Sequence, residues 1–191
     1  MEFGLGLIGL LGLLGLLAVL ALWAIGQYNM LVKLRNAVEE AFSTMDVYLK
    51  KRFDLVPNLV ETVKGFAAHE SGVLQAVTEA RSMIQSATTT EQKIEGENML
   101  TGALRSLFAV SEAYPDLKAN QNFLDLQRQL NVIETDIAQS RKFYNGVVKQ
   151  FNNRVEMFPS NIFANIFGFT RFPFFEVASE VEREAVAVSF A

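Results

Sequence analysis

The first pattern in the chain is an unbroken apolar stretch from Phe3 to Gly26 that contains no charged residue. A helix of about 20 apolar residues is long enough to cross a bilayer. A cleaved signal peptide would begin with basic residues and carry a shorter apolar run, whereas only Met1 and Glu2 precede this stretch. The pattern therefore predicts that residues 1–27 form a transmembrane anchor in the lipid bilayer.

Basic residues predict the orientation of this anchor. None precedes it, while Lys33 and Arg35 follow it directly and Lys50–Arg52 come further on. Positively charged residues favour the cytoplasmic side of a membrane. We therefore expect a single-pass protein with its N-terminus outside and the rest of the chain in the cytoplasm. Trp23 and Tyr28 fit the aromatic belt at the inner interface.

Small residues recur at every third position of the anchor, and such residues let membrane helices approach closely. Because a three-residue step falls about 60° short of a full helical turn, the small positions wind around the helix. We expect contacts with neighbouring helices on more than one side, as in a ring. A generic leucine-rich anchor with incidental glycines is the alternative. The small positions are Gly6, Gly9, Gly12, Gly15, Ala18, Ala21 and Ala24.

Beyond the anchor, apolar residues follow the alternating three- and four-residue spacing of packed helices and coiled coils. This spacing predicts a first long helix over residues 27–68. It predicts a fourth over residues 120–157, with Asn120 as its N-cap. The apolar seams are Leu31, Leu34, Val38, Ala41, Met45 and Tyr48 on the first helix, and Phe123, Leu126, Leu130, Ile133, Ile137, Ser140, Tyr144, Val147 and Phe151 on the fourth.

Two shorter helices are predicted between the long ones. A turn at residues 68–72 precedes the second helix, and a capping box of Thr88 and Glu91 starts the third. Gly96 and Gly102 weaken the third helix and are expected to allow close packing. Because short connections make consecutive helices antiparallel, the pattern predicts an all-α fold. In it, the N-terminal transmembrane helix continues into a long antiparallel four-helix bundle over residues 28–157.

Pro57 lies inside the first helix, where it removes one backbone hydrogen bond and introduces a kink. The apolar spacing resumes after it, so the helix is predicted to continue. Three polar residues that share one face around the kink could bind a cation or a partner. We favour the structural alternative, in which they satisfy the kink and pair with Arg52, on the apolar seam, or with Lys64. These residues are Asp54, Asn58 and Glu61.

Composition excludes several kinds of chemistry. The chain has no cysteine, which rules out disulfides and cysteine catalysis, and its single histidine, His69, leaves no zinc-type cluster to assemble within one chain. With a net charge of −4 and no block of Lys or Arg, it has no footprint for nucleic acid. We predict no catalytic residue, cofactor or metal site, and a protein that is not an enzyme.

The local strings of the predicted bundle resemble those of the LemA family, from Tyr28 to about Phe175. The resemblance implies an N-terminal anchor in the bacterial inner membrane and an antiparallel helical bundle in the cytoplasm. It implies no catalytic residues, because the family's molecular function is not established. The matching strings include Arg52-Phe53-Asp54-Leu55-Val56-Pro57-Asn58-Leu59-Val60-Glu61, Lys64-Gly65-Phe66-Ala67, Glu79-Ala80-Arg81, Tyr114-Pro115-Asp116-Leu117-Lys118-Ala119-Asn120 and Pro159-Ser160-Asn161.

The tail over residues 158–191 begins with an aromatic segment that contains one charged residue, Arg171, among its phenylalanines. Apolar surface of this extent marks membrane or protein contacts. The segment is expected to lie at the membrane interface or between subunits; folding back over its own bundle is equally open. Further on, Val186–Phe190 suits a short strand, and a short helix or disorder is the alternative. The phenylalanines are Phe158, Phe163, Phe167, Phe169, Phe172, Phe174 and Phe175.

These features predict a membrane-anchored, non-enzymatic scaffold that self-associates into a homo-oligomer at the inner membrane and organises or shapes that membrane. Other membrane proteins are further expected partners. The alternative is a signalling or quality-control adaptor for a partner such as a membrane protease, because the resemblance implies relatives that accompany membrane metalloproteases.

Overall fold

A computed structural model describes residues 2–176 of the chain, with side chains from Leu10 onward. Every regular element among these residues is a helix, so the predicted all-α class with one long apolar N-terminal helix is confirmed. The strand suggested for Val186–Phe190 lies outside the described residues. The helices are α1 (Glu2–Phe66), α2 (Ser71–Ser86), α3 (Thr90–Ser111), α4 (Pro115–Lys118), α5 (Gln121–Glu156) and α6 (Ser160–Ile166).

Helix α1 runs from the anchor through Pro57 without a break and ends at Phe66. Proline removes only one hydrogen bond of the helix. Burial of Val56 and Leu59 on either side holds the following turns in place. The predicted continuation past Pro57 is therefore confirmed.

Three details of the predicted helices are wrong by one residue. On α5, Val148 is buried and the predicted Val147 only half-buried. Leu49 is buried and Tyr48 only half-buried, because an α-helix with 3.6 residues per turn drifts against a strict seven-residue repeat. The N-cap of α3 is Thr89, whose hydroxyl accepts a hydrogen bond from the backbone N–H of Gln92 at 3.2 Å. Thr88 precedes the cap and donates through its backbone N–H to the Gln92 side chain at 2.9 Å.

The connection from α3 to α5 contains the single turn of α4, which starts on Pro115. Proline suits a first helical turn, where its missing N–H is not needed. The side-chain oxygen of Asn120 accepts a hydrogen bond from the backbone N–H of Phe123 at 3.0 Å. The predicted N-cap of the fourth long helix, α5, is thus confirmed.

The chain forms two compact units. The first combines Met1–Phe42 with Tyr144–Phe172, and the second combines Ser43–Phe143 with Pro173–Ala191. In the first unit, α1 and α5 bury apolar residues, among them Leu31, Val38 and Phe151. The rings of Phe42 and Tyr144 meet with centroids 5.6 Å apart.

The second unit has a core to which α1, α2, α3 and α5 all contribute. It buries the apolar positions of each helix, as expected for amphipathic helices packed on one another. Phe108 of α3 and Phe123 of α5 place their rings 6.1 Å apart at its edge. The buried residues include Val56, Leu59, Val63, Val77, Ala80, Leu100, Leu104, Leu107 and Leu130.

Gly96 marks the closest approach of α2 to α3. A Cβ atom at Gly96 would lie 2.8 Å from Cγ1 of Ile84 and 3.1 Å from its backbone nitrogen, so the helices would have to move apart. We expect Gly96→Ala to lower the free energy of unfolding by about 1–3 kcal/mol, as overpacking does. Thermal unfolding of the full-length protein, followed by circular dichroism, measures this effect.

Gly102 on the same helix provides the matched control, because a Cβ atom there meets nothing within 4 Å. Gly102→Ala should raise stability by up to about 1 kcal/mol through helix propensity alone. A Gly96→Ala protein at least as stable as the wild type would contradict the proposed close approach.

Candidate functional site

Arg52 lies at the centre of a charge cluster in the second unit. Its position on the apolar seam of α1 buries the side chain, which is 1% exposed. One terminal nitrogen donates to Oε1 of Glu134 at 2.6 Å and to Oγ1 of Thr101 at 2.9 Å. The other donates to Oε2 of Glu97 at 2.6 Å and to the Glu97 carbonyl oxygen at 3.2 Å. The guanidinium thus links α1 to both α3 and α5.

Burial and charge compete in this cluster. Burial alone would lower the pKa of Arg52, but the carboxylates of Glu134 and Glu97 outweigh it and raise that pKa, so the guanidinium stays charged. Burial raises the pKa of Glu97 and outweighs the opposing attraction to Arg52. One positive group faces two carboxylates, so the attraction of Arg52 is shared between Glu97 and Glu134.

The cluster replaces the local pairing predicted around Pro57. The prediction that Arg52 pairs with the polar face beside the kink is wrong, because its ion-pair partners are on α3 and α5. Asp54 instead accepts from the exposed Lys50 at 3.1 Å. Asn58 and Glu61 are also exposed. The face is solvated because α1 turns Arg52 inward and the neighbouring acidic side chains outward.

The predictions about metal and histidine concern a different part of the second unit. Among residues 10–176, no three His, Cys, Asp or Glu side chains are grouped as a metal site. His69 is exposed in the turn before α2. Its neighbour Glu70 accepts a hydrogen bond from the hydroxyl of Tyr114 at 3.0 Å, and this bond raises the pKa of Tyr114.

A cavity of about 340 Å³ lies beside the charge cluster. Its wall includes Arg52 and Glu134, and the Glu134 side chain keeps 37% of its surface exposed. Phe175 of the aromatic segment is buried at this cavity, 5.9 Å from the guanidinium of Arg141. The remaining wall is mainly apolar and includes Leu104, Phe108, Leu130 and Ile137.

The raised pKa of Glu97 predicts a pH dependence. The folded chain holds this proton above the ordinary pKa of 4.5, where the unfolded chain has released it. The stability that Glu97 contributes is therefore complete below that value and is lost as pH rises through the folded pKa. We expect the free energy of unfolding of the wild type to fall relative to Glu97→Gln as pH rises. Denaturant unfolding of both proteins from about pH 4 to about pH 7 measures this difference. A free energy of unfolding that changes equally with pH in both proteins would contradict the prediction.

In the first unit, the aromatic segment contacts Trp23 and Tyr28, the two residues predicted for the aromatic belt at the inner membrane interface. Trp23 packs edge-on against Phe163, with ring centroids 5.2 Å apart. Tyr28 lies 4.7 Å from the ring of Phe167 and 6.0 Å from that of Phe169. These contacts place the start of the tail beside the end of the anchor.

The segment is attached to α5 by two neighbouring residues. The ring of the buried Phe151 packs 5.2 Å from Phe172 and 6.3 Å from Phe169. The Asn152 amide donates to the carbonyl oxygen of Phe172 at 2.9 Å and accepts from its N–H at 3.0 Å. Periodicity alone does not reveal this role, because Asn152 looks like an ordinary polar residue of a helix. Phe174, with Phe175, belongs to the second unit.

Part of the aromatic segment remains uncovered. Phe158 is 79% exposed and Ile166 is 68% exposed, and Met157, Ile162 and Phe167 are exposed as well. Such a concentration within a short stretch marks a contact surface, whereas exposed apolar residues scattered singly do not.

The anchor part of α1 also presents apolar side chains outward. Among the described residues, one helix is long and apolar enough to cross a membrane, and none of its apolar window is buried within the chain. A Cβ atom at Gly12 or Gly15 would meet nothing within 4 Å. Ala18 and Ala21 are exposed, and Ala24 is half-buried. The surroundings of Gly6 and Gly9 lie outside the described part.

A comparison with known families identifies the group to which these features belong. The model described as "LemA family" matches residues 41–190 of the chain. The chain belongs to the LemA family. The family assignment predicted from the local strings is thereby confirmed.

Individual relatives of this LemA-family chain are distant. Protein LemA of Metamycoplasma hominis is 26% identical over 169 residues, which cover 86% of this chain and 75% of the relative. Magnetosome protein MamQ 2 of Paramagnetospirillum magneticum is 26% identical over 176 residues, covering 78% of this chain and 65% of the relative. Magnetosome protein MamQ of Magnetospirillum gryphiswaldense is 24% identical, with 78% and 64% covered. The chain therefore spans just under two thirds of the MamQ proteins.

Proposed function

We propose that this LemA-family chain is a membrane-anchored, non-enzymatic scaffold that self-associates at the bacterial inner membrane and organises it. One observation carries the proposal: in the first unit, an uncovered apolar helix and an uncovered apolar segment lie side by side. Trp23 and Tyr28 join the two surfaces through their contacts with Phe163 and Phe167. Lys33 and Arg35, just beyond the anchor, support a cytoplasmic position for the rest of the chain.

The proposed scaffold includes an antiparallel four-helix bundle in the second unit. It is made of α2, α3 and the parts of α1 and α5 that lie in that unit. Arg52 of α1 meets Glu97 on α3 and Glu134 on α5. Phe108 of α3 lies beside Phe123, near the start of α5. Thr101 comes earlier in α3 and Glu134 comes later in α5, and both accept a hydrogen bond from Arg52. This opposite order along the two helices supports an antiparallel pair.

A structural use of the buried charges supports a non-enzymatic role. Catalytic groups commonly have a shifted pKa, and Glu97 has one. Its carboxylate, however, accepts a hydrogen bond from Arg52 across the interior of the helices.

The particle mass of the full-length protein in lipid nanodiscs or mild detergent tests self-association. We expect a defined oligomer. A monomer or dimer would contradict the scaffold and favour the adaptor for another membrane protein, with the cavity beside Arg52 as the docking surface to examine.

A matched pair of anchor variants makes this test sharper. Gly12→Leu adds a side chain where the chain itself offers no contact within 4 Å, so a change in particle mass would come from a neighbouring molecule. Gly26→Leu is equally open but stands outside the three-residue repeat of small positions. Smaller particles for Gly12→Leu alone support packing through the small residues. Unchanged particles for both contradict that part of the proposal.

A further inference from the structure

A second cavity, of about 450 Å³, lies in the first unit where α1, the end of α5 and the start of α6 meet. We call it the membrane-proximal crevice. Met30 and Leu34 of α1 form one wall, and Met157 and Phe158 form part of the other. Gln150 and Arg154 of α5 supply polar side chains to the same space. Its volume is within the range of sites that bind small molecules.

Most residues at the anchor end of the crevice are apolar, apart from Ser160. Further from the anchor, α5 lines it with polar side chains, namely Gln150, Asn153 and Arg154. Phe158 lies five residues before Phe163, whose ring contacts Trp23, so it marks the end nearer the anchor. Gln150 lies eight residues before Phe158, within α5. Within this unit, the α5 residues before it lead away from the anchor, since Tyr144 meets Phe42 of α1. The crevice therefore becomes more polar with distance from the anchor.

Arg154 gives the polar end a positive charge. It is exposed in the last turn of α5 and, among the described residues, has no carboxylate in ion-pair contact. Two other arginines of this unit are paired: Arg171 contacts Glu156 at 2.9 Å and Arg35 contacts Glu39 at 3.0 Å. An anionic group is thus the chemical match for this end.

The anchor end opens onto surface that suits hydrocarbon. Met157 is 61% exposed and Phe158 is 79% exposed, and the exposed Ile162 and Ile166 follow on α6. A molecule that fits both ends has an acyl chain pointing toward the bilayer and an anionic group pointing away from it. A lipid of the inner leaflet has this polarity and this direction.

We propose that the membrane-proximal crevice binds one anionic phospholipid. The phosphate contacts Arg154, with the amide of Gln150 as a neutral hydrogen-bonding group, and one acyl chain lies against Met30, Leu34 and Phe158. The lipid then joins the anchor to the aromatic segment. This inference rests on the membrane anchoring in the proposed function, but it does not depend on self-association.

The test measures lipid retained by the full-length protein. The protein is inserted into nanodiscs made of equal parts phosphatidylcholine and phosphatidylglycerol, then released in mild detergent, and its bound lipids are quantified by mass spectrometry. We expect the wild type to retain more phosphatidylglycerol than phosphatidylcholine. Arg154→Gln should lower the ratio of phosphatidylglycerol to phosphatidylcholine about fivefold, the effect of removing one basic residue from an anionic lipid surface.

Two further variants separate a specific site from general attraction. Lys149→Gln removes the same charge from an exposed position of the same helix outside the crevice, so its lipid ratio should equal that of the wild type. Met30→Trp narrows the apolar end and should reduce the retention of both lipids. Met30 is 38% exposed, which leaves room for the larger side chain to be accommodated.

Three results would overturn the proposal. The first is an equal lipid ratio in the wild type and Arg154→Gln, and the second is the same loss in Lys149→Gln. The third is stabilisation by inorganic phosphate in pure phosphatidylcholine discs as large as that by phosphatidylglycerol, which would assign the crevice to free phosphate. Particle mass is measured on the same samples. A monomer that still retains phosphatidylglycerol would contradict the scaffold and leave the lipid site standing.

Discussion

Replacing Arg52 with methionine is expected to lower the free energy of unfolding by about 3–5 kcal/mol, because the loss of one partner leaves buried charge uncompensated. Methionine fills much of the volume of the arginine stem but cannot neutralise Glu97, whose side chain is 1% exposed. The substitution also removes the hydrogen bonds that connect Arg52 of α1 to Glu97 of α3 and to Glu134 of α5. Thermal or denaturant unfolding of the full-length chain in one detergent measures the loss.

Two controls distinguish a buried charge network from a general sensitivity of α1. Lys50→Met removes an exposed ion pair with Asp54 on the same helix and should change stability by at most about 0.5 kcal/mol. The triple variant Arg52→Met, Glu97→Gln, Glu134→Gln removes the stranded carboxylates and should recover most of the loss. An Arg52→Met protein as stable as Lys50→Met would show that the network contributes little.

Truncating Phe151 to alanine is the second change with a large expected effect, about 3–5 kcal/mol. This ring is 1% exposed and packs against Phe169 and Phe172. Its loss opens a void under the aromatic segment and weakens the attachment that Asn152 provides. We expect lower thermal stability together with faster tryptic cleavage at Arg171, the charged residue within the segment.

Phe143 is the matched control for Phe151, since it is on the same helix but 62% exposed. Phe143→Ala should alter stability by no more than about 0.5 kcal/mol and leave cleavage at Arg171 unchanged. If Phe151→Ala lost stability without faster cleavage, α5 would not be what holds the segment in place.

The long helices and the anchor follow from the sequence because both depend on local patterns. Hydrogen bonds within one helix set its period, so the apolar spacing from Leu31 onward predicts a helix without reference to its partners. The same local patterns predict that α1 continues past Pro57 and that Asn120 caps α5. The predicted seams are wrong by one residue at Tyr48 and at Val147, where the drift of the helix against a seven-residue repeat brings Leu49 and Val148 inward.

The candidate sites could not be predicted fully from local sequence patterns. Arg52 on an apolar seam indicates a buried charge, and Glu97 occupies a similar position in α3 between Ile94 and Leu100, a signal that was available in the sequence. Their pairing could not be read from it, since Glu97 and Glu134 lie 45 and 82 residues away from Arg52. Which seams face each other depends on the rotation and axial position of separate helices.

The sequence alone therefore determined the all-α class, the long apolar N-terminal helix, the main helices and the LemA family. Only the tertiary structure decided that the aromatic segment meets Trp23 and Tyr28, and that Arg154 lies on the same crevice as Met30. Helical periodicity is a local property of the backbone, whereas these contacts join positions more than 100 residues apart in the chain. They depend on how complete helices pack, so no local pattern of residues specifies them.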